Sequence, residues 1–338
     1  MRVTLKDIAK RAGVSRPAVS MVLNNRDTTH LSEAKKQEVL RLAHEMGYRP
    51  NYSALQLRGK STRVIGVIGT VFSVPVHAAI IEEVMCCFRE QGYHVLLGEH
   101  GNDTRHEMEL VAEFESRGVD GIILFNAVTP RIREIIRVPH AAVSHNQKSY
   151  DLCTDLRLGG LLAGRHLTGH GHRKIAFVER CGNSGVLRRQ GLIDALAEAG
   201  VTFEPSWHLK LEPEQENASA AIKRLLEQGV TAFFTLNDFL GGQVLAELHR
   251  LNIRVPEQAA VIGFDGLTFT AGLYPRLTTV VQPVRELGRQ TVELMLRRIG
   301  GEAPGETPLL LPPHLHIGES CGCRGRMIYP ENQTIFKE

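Results

Sequence analysis

The 338-residue sequence has none of the segments that carry a chain into or across a membrane. Its start, MRVTLKDIAKRAG, holds no apolar run of the signal-peptide kind. The longest apolar stretch, 64–81, is interrupted by Gly66, Gly69, Pro75 and His77, which makes it a poor membrane span. Cysteine is sparse: six in a chain of this length, with no secretory signal, predict reduced thiols and a cytoplasmic location. Gly at 32 and Pro at 15 are too few for a collagen-like or low-complexity chain. Missing too are G-x-S-x-G, the P-loop, G-x-G-x-x-G and H-E-x-x-H, and no nucleophile is paired with an evident base. The sequence therefore predicts a binding protein rather than an enzyme, with neither cofactor nor metal.

What remains is ordinary for a globular protein, with 43% apolar and 23% charged residues. At about 100–200 residues per domain, the length predicts two or three domains. The net charge of +3 hides an asymmetry: residues 1–62 hold twelve Lys and Arg against five acids, a net +7, and the remainder carries −4. A basic head on a mildly acidic body points to a polyanion as the partner of the head alone.

Residues 4–47 read as all-helical: a short helix over Leu5–Ala12, a break at Gly13, a second helix capped by Ser15 with Pro17 in its first turn, and a third capped by Ser32 and ended by Gly47. From Val64 the texture changes to short apolar runs alternating with amphipathic segments, as βαβ units and parallel sheets require. Strands are predicted at 64–68, 94–97, 121–125, 141–143, 175–178, 232–236 and 260–264. Three pairs of similar words recur in one order: RGVDGIILFN and QGVTAFFTLN at an offset of 111, VPHAAVSHN and VPEQAAVIGFD near 117, and EQGY and EAGV at 108. Two α/β halves of one architecture explain this, with chance agreement among common βα words as the alternative. Two such sheets side by side leave a cleft lined by loops at the strands' carboxyl ends.

Within the head, Ala9 is small where two helices would cross, Gly13 tolerates positive φ at the turn, and Val19 and Val22 face inward at i and i+3. That is a helix-turn-helix pattern, with Arg16, Pro17, Ala18, Ser20 and Met21 left for a major groove. A small helical dimerisation module is the alternative. Arg16 is suited to bidentate pairing with guanine, whereas Pro17 and Met21 offer only shape or contact with a thymine methyl.

The segments TLKDIAKRAGVSRPAVSMVLN, LSEAKKQEVLRLAHEMGYRPN and SALQLRGKSTRVIGVI together resemble the lactose-repressor (LacI/GalR) family of ligand-responsive bacterial transcriptional regulators. The likeness spans residues 4–320 and recurs at LAGRHLTGHGHRKIAFV, VPEQAAVIGFD and LTTVVQP. It implies a headpiece at 1–48, a hinge at 49–62, and a periplasmic-binding-protein-like core at 63–323 made of two doubly wound parallel-sheet subdomains, 63–158 with 284–323 and 159–283. Residues 324–338 form a tail without heptads. It further implies homodimers on pseudo-palindromic operator DNA.

Two-fold symmetry of such a protein is mirrored in the half-sites it reads. Residue by residue, the likeness implies that Ser15, Arg16 and Pro17 open the recognition helix, that Ser20 and Met21 lie further along it, and that Leu57 is the hinge leucine that wedges into a central base step. Thr4, Asn24, Asn25, His30 and Tyr48 are candidate phosphate contacts, and Asn24 reads equally well as a loop cap.

For the core, Thr70, Asn126, His145, Asn237, Asp238 and Asp265 stand at strand ends as hydrogen-bonding groups for a small neutral solute. The likeness implies effector-binding roles for His77, His145, Arg188, Asn237 and Asp265, with Phe234 as pocket wall or buried strand residue. Asp, Asn and Arg suit a hydroxyl-rich ligand, a sugar or sugar phosphate, and a pocket poor in aromatics argues against the alternative, a purine acting as co-repressor. The alternative class is a cytosolic sugar-binding protein or enzyme whose basic head serves another purpose. His314, His316, Cys321 and Cys323 form H-x-H-x₄-C-x-C, but the C-x-C spacing departs from the usual structural zinc pattern, so these read as strand residues near the chain's end.

Overall fold

A computed structural model describes residues 3–23, 31–48, 61–70, 74–129, 131–143, 150–180, 185–211, 218–303, 305 and 308–323. They fall into two units, 1–62 and 63–338.

The first unit is three helices, α1 (Leu5–Ala12), α2 (Arg16–Leu23) and α3 (Glu33–Glu45). Gly13 takes φ 66°, ψ 33° and ends α1, which lets the chain turn at once into α2. Ile8, Ala9, Ala12, Val19, Val22, Val39, Leu42 and Ala43 form the core of this unit. The i, i+3 pair Val19 and Val22 faces inward, as the spacing predicts.

The second unit holds two six-stranded sheets. The first contains β1 (Val64–Gly69), β2 (His94–Glu99), β3 (Gly121–Phe125), β4 (His140–Val143), β5 (Leu152–Thr154) and β11 (Leu309–Leu311), in the order β11-β5-β4-β3-β1-β2. The second contains β6 (Ile175–Arg180), β7 (His208–Leu211), β8 (Ala232–Thr235), β9 (Ala260–Asp265), β10 (Thr278–Val281) and β12 (His314–His316), in the order β12-β10-β9-β8-β6-β7. The two orders correspond strand for strand, so the repeated words of the sequence mark equivalent elements: GIILF is β3 and AFFT is β8, each third in its half. All pairings are parallel except that of β12 with β10.

The seven strands predicted from apolar runs are β1, β2, β3, β4, β6, β8 and β9. The other five strands are too short to stand out as apolar runs: β5 and β10 are buried inside their sheets but span three and four residues, and β7, β11 and β12 are short, partly exposed edge strands. The crossings between halves also differ from the expectation. The sequence predicts that all of 284–323 returns to the first subdomain; α10 (Val284–Ile299) and β11 do, but β12 pairs with β10 in the second sheet. Three passes, after β5, after β10 and after β11, therefore connect the halves.

Helices α4 (Pro75–Glu90), α5 (Thr104–Ser116) and α10 cover the first sheet, and α6 (Leu156–Gly169), α7 (Val186–Glu198), α8 (Ala218–Glu227) and α9 (Asp238–Arg250) the second. Glycines set the crossing of α6 and α7. A Cβ at Gly160 would fall onto the Arg188 carbonyl, one at Gly191 onto the Arg157 carbonyl, and one at Gly164 2.5 Å from Ala195 Cβ. Backbone-to-backbone contact of this kind places the first turn of α7 without slack.

Candidate functional site

In the basic unit, the Ser15 hydroxyl accepts from the Ala18 N–H at 3.3 Å and so caps α2. Arg16 and Pro17 stand exposed in the first turn, and Ser20 and Met21 are half-buried along the helix. Thr4 precedes α1; its N–H and hydroxyl donate to one Asp7 carboxylate oxygen at 2.8 and 2.7 Å, which holds Asp7 below the usual carboxylate range. Tyr48 packs half-buried against the helical core. Asn24, Asn25, His30 and Leu57 lie outside the described residues.

In the core, Thr70, Asn126, Asn237 and Asp265 follow or close the carboxyl ends of β1, β3, β8 and β9. Arg188, from the first turn of α7, lies over the Phe264 ring with Cζ 4.2 Å from its centroid. Its terminal nitrogen is 3.8 Å from Asp265 Oδ1, and both residues are 5% exposed. Burial draws the Arg188 guanidinium below its ordinary value. Burial also pushes the Asp265 carboxyl up to about 6, against the opposing pull of Arg188 and a hydrogen bond from Gln282 Nε2 at 2.8 Å. Asp265 holds φ 111°, a conformation rare for a residue with a side chain, and such backbone strain concentrates at binding sites. Asn126, at the end of β3, also has positive φ, 54°.

Asp238 is fully buried beside this pair. Its carboxylate accepts from the Thr279 hydroxyl and from the Leu267 N–H at 2.7 Å. Burial first, and then the neighbouring Asp265, push it up to about 8. One buried guanidinium thus lies close to two buried acids.

His77, on α4, is buried with its ring hydrogen-bonded on both sides. Nδ1 lies 2.9 Å from the Thr70 carbonyl and Nε2 2.9 Å from Asn126 Nδ2, so the tautomer donates at Nδ1 and accepts at Nε2. Burial pushes His77 down to about 4, with Arg188 contributing, and the ring is neutral. It braces Asn126 rather than presenting a charge. Asn237 caps α9, its Oδ1 accepting from the Leu240 N–H at 3.0 Å, and its amide group is what it can offer a ligand. Phe234 has no exposed surface: it packs between Phe177 and Phe264 at centroid distances of 5.5 and 6.4 Å. It is the buried strand residue of the two readings, and Phe264 is the ring that meets Arg188. His145 lies outside the described residues.

Three features escaped the sequence. Gln282, just after β10, donates to Asp265 and accepts from the Thr154 hydroxyl at 2.7 Å, so two crossing segments are tied to the site. Its only signal is its place in LTTVVQP. Phe239 and Phe269 are 51% and 37% exposed, their rings tilted by 35° with centroids 4.9 Å apart, so aromatic surface is present after all. Phe239, in the first turn of α9, and Phe269, four residues beyond Asp265, sit beside the strand ends; an exposed aromatic next to a polar strand end is a signal, but exposure is not visible in a sequence. The third is a convergence of His166 with Cys321 and Cys323, whose donor atoms all lie within 4.8 Å of one another, whereas His314 and His316 are on β12 and do not join them.

No helix among the described residues is long and apolar enough to cross a membrane. Residues 4–51 match the model of bacterial regulatory proteins of the lacI family, and residues 165–321 match a periplasmic binding protein-like domain. The chain is 32% identical over 335 residues to the HTH-type transcriptional repressor PurR of Mannheimia succiniciproducens, covering 94% of this chain and 98% of that one. Among solved structures, a complex of the transcriptional regulator CelR with cellobiose is 30% identical with TM-score 0.66, covering 94% and 100% of the two chains. The lac repressor dimer bound to operator and the anti-inducer ONPF shares the fold, with TM-score 0.83 at 23% identity over 95% and 99% of the chains. A helix-turn-helix head, a core of two matching sheets and full-length likeness to DNA-binding regulators, none of them enzymes, converge on one identity: the chain belongs to the LacI family of bacterial transcriptional regulators.

Proposed function

We propose that this regulator is a homodimeric repressor of a pseudo-palindromic operator, released or engaged by a hydroxyl-rich small molecule held at Asp265 and Arg188. The observation that carries the ligand class is the buried Arg188–Asp265 pair, 3.8 Å apart over Phe264. Vicinal hydroxyls can donate to the carboxylate and accept from the guanidinium at once. Asn237 supplies further amide donors, and His77 positions Asn126. Likeness to the CelR–cellobiose complex supports the sugar reading. In the head, exposed Arg16 reads guanine, worth roughly 1–3 kcal/mol of discrimination, while Thr4 and Tyr48 position the backbone.

A second reading rests on the exposed, tilted Phe239–Phe269 ring pair, which offers aromatic surface to a planar base. Calorimetry with a panel of mono- and disaccharides, sugar phosphates and purines separates the two. The expected result is binding of a sugar or sugar phosphate that is lost in Asp265→Ala, with little effect of Phe239→Ala. Purine binding lost in Phe239→Ala selects the second reading, and ligand binding unchanged in Asp265→Ala overturns the site.

A further inference from the structure

We infer that the second subdomain carries a zinc-type metal site built from His166 and His170 on and just after α6 and from Cys321 and Cys323 after β12. His166 Nε2 is 3.5 Å and His170 Nε2 3.0 Å from Cys323 Sγ, and the donors of His166, Cys321 and Cys323 all lie within 4.8 Å of one another. Tetrahedral zinc, with bonds of about 2.0–2.3 Å to nitrogen and sulfur, sets its ligands about 3.3–3.8 Å apart. His166, Cys321 and Cys323 need only small rotations to reach that geometry, and His170 approaches Cys323 as the candidate fourth ligand.

Each component has a reason to be there. The i, i+4 spacing puts both imidazoles on one side of the helix end, their rings 4.8 Å apart. Cys321 is buried and Cys323 half-buried, so the thiols reach the histidines from within the fold. A bound ion displaces the two thiol protons into solvent, and the two thiolates neutralise its double charge. The Thr278 hydroxyl, 3.1 Å from Cys321 Sγ, is placed to donate to that thiolate from outside. His172 is engaged elsewhere, its Nδ1 2.8 Å from the Thr231 hydroxyl.

The site is separate from the effector residues. Thr278 opens β10, so the cluster lies at the amino-terminal end of a strand whose carboxyl end leads to Gln282, the partner of Asp265. A metal there would tie residues 321–323 to α6, whose other end begins at the crossing between the halves.

Metal-stripped, reduced full-length protein is titrated with cobalt(II) chloride, followed by competition with zinc chloride. The expected result is stoichiometric cobalt binding with a thiolate-to-cobalt charge-transfer band and the visible bands of a tetrahedral ion, both erased by zinc. Cys323→Ser and His170→Ala, at half-buried and exposed positions, weaken binding by more than the roughly 10–100-fold loss that an outer-shell change can cause. His314→Ala leaves it unchanged. Absence of binding, cobalt bound without the thiolate band, or equal affinity in Cys323→Ser and His170→Ala overturns the site.

Discussion

At the scale of the residue, the protonation of two aspartates sets the chemistry of the core. Asp238 has its carboxyl raised to about 8 and Asp265 to about 6, both from an ordinary 3.8. A raised carboxyl means that the folded state holds a proton the unfolded chain releases. Stability therefore falls as pH rises from about 4 through about 8, and the loss is complete above that range. Asp238→Asn removes the larger part of this dependence: urea midpoints of the variant should vary less between pH 5 and 8 than those of the parent, and the variant should gain relative to it at pH 8. Equal slopes for the two proteins would show that Asp238 titrates normally.

The same residues show where a sequence is legible. Asp265 closes an apolar strand and stands out as a polar strand end, and Arg188 emerges from the family likeness. Phe234 and Phe264 are alike in sequence, both aromatic in apolar strands, and only packing assigns one to the core and the other to the floor beneath a guanidinium.

At the scale of the element, the contact of α6 with α7 positions Arg188. Gly160 and Gly191 each meet the opposite helix's backbone, so a methyl at either has nowhere to go. Gly191→Ala should destabilise the fold by about 1–3 kcal/mol, the range for overpacking, in chemical denaturation. Because relief requires the helices to part, effector affinity should fall as well. A variant with parental stability and parental affinity would show that the helices slide apart freely. The glycines are plain in the sequence, but nothing in GGLLAG or RRQG says which residue lies opposite. Helices α1 and α2 were the most legible elements, because a cap, a left-handed glycine and two inward valines fall within a dozen residues.

At the scale of the whole molecule, a regulator works because effector and operator bind one chain. Linkage requires each to change the other's affinity by the same factor, typically about 5–150-fold. Selection of random duplexes by the full-length protein, with and without candidate sugars, should enrich an inverted repeat, and effector affinity measured with the winning duplex should shift by the factor seen in duplex affinity. An effector that alters neither affinity would remove regulation by that ligand. Gln282 is the residue through which two crossing segments touch the site, bonding both Thr154 and Asp265.

The sequence by itself determined the family and the helix-turn-helix head with its basic charge, and pointed to the duplication that the strand orders then showed, because each rests on local pattern: caps, turn glycines, apolar spacing and repeated words. The tertiary structure alone decided that β12 returns to the second sheet, that Asp238 shares the environment of Asp265, that aromatic surface stands beside the strand ends, and that His166 and His170 meet Cys321 and Cys323. Those facts depend on residues tens to more than a hundred positions apart, brought together by sheet order and close helix contact, and a linear pattern has no means of recording which distant partner a side chain will meet.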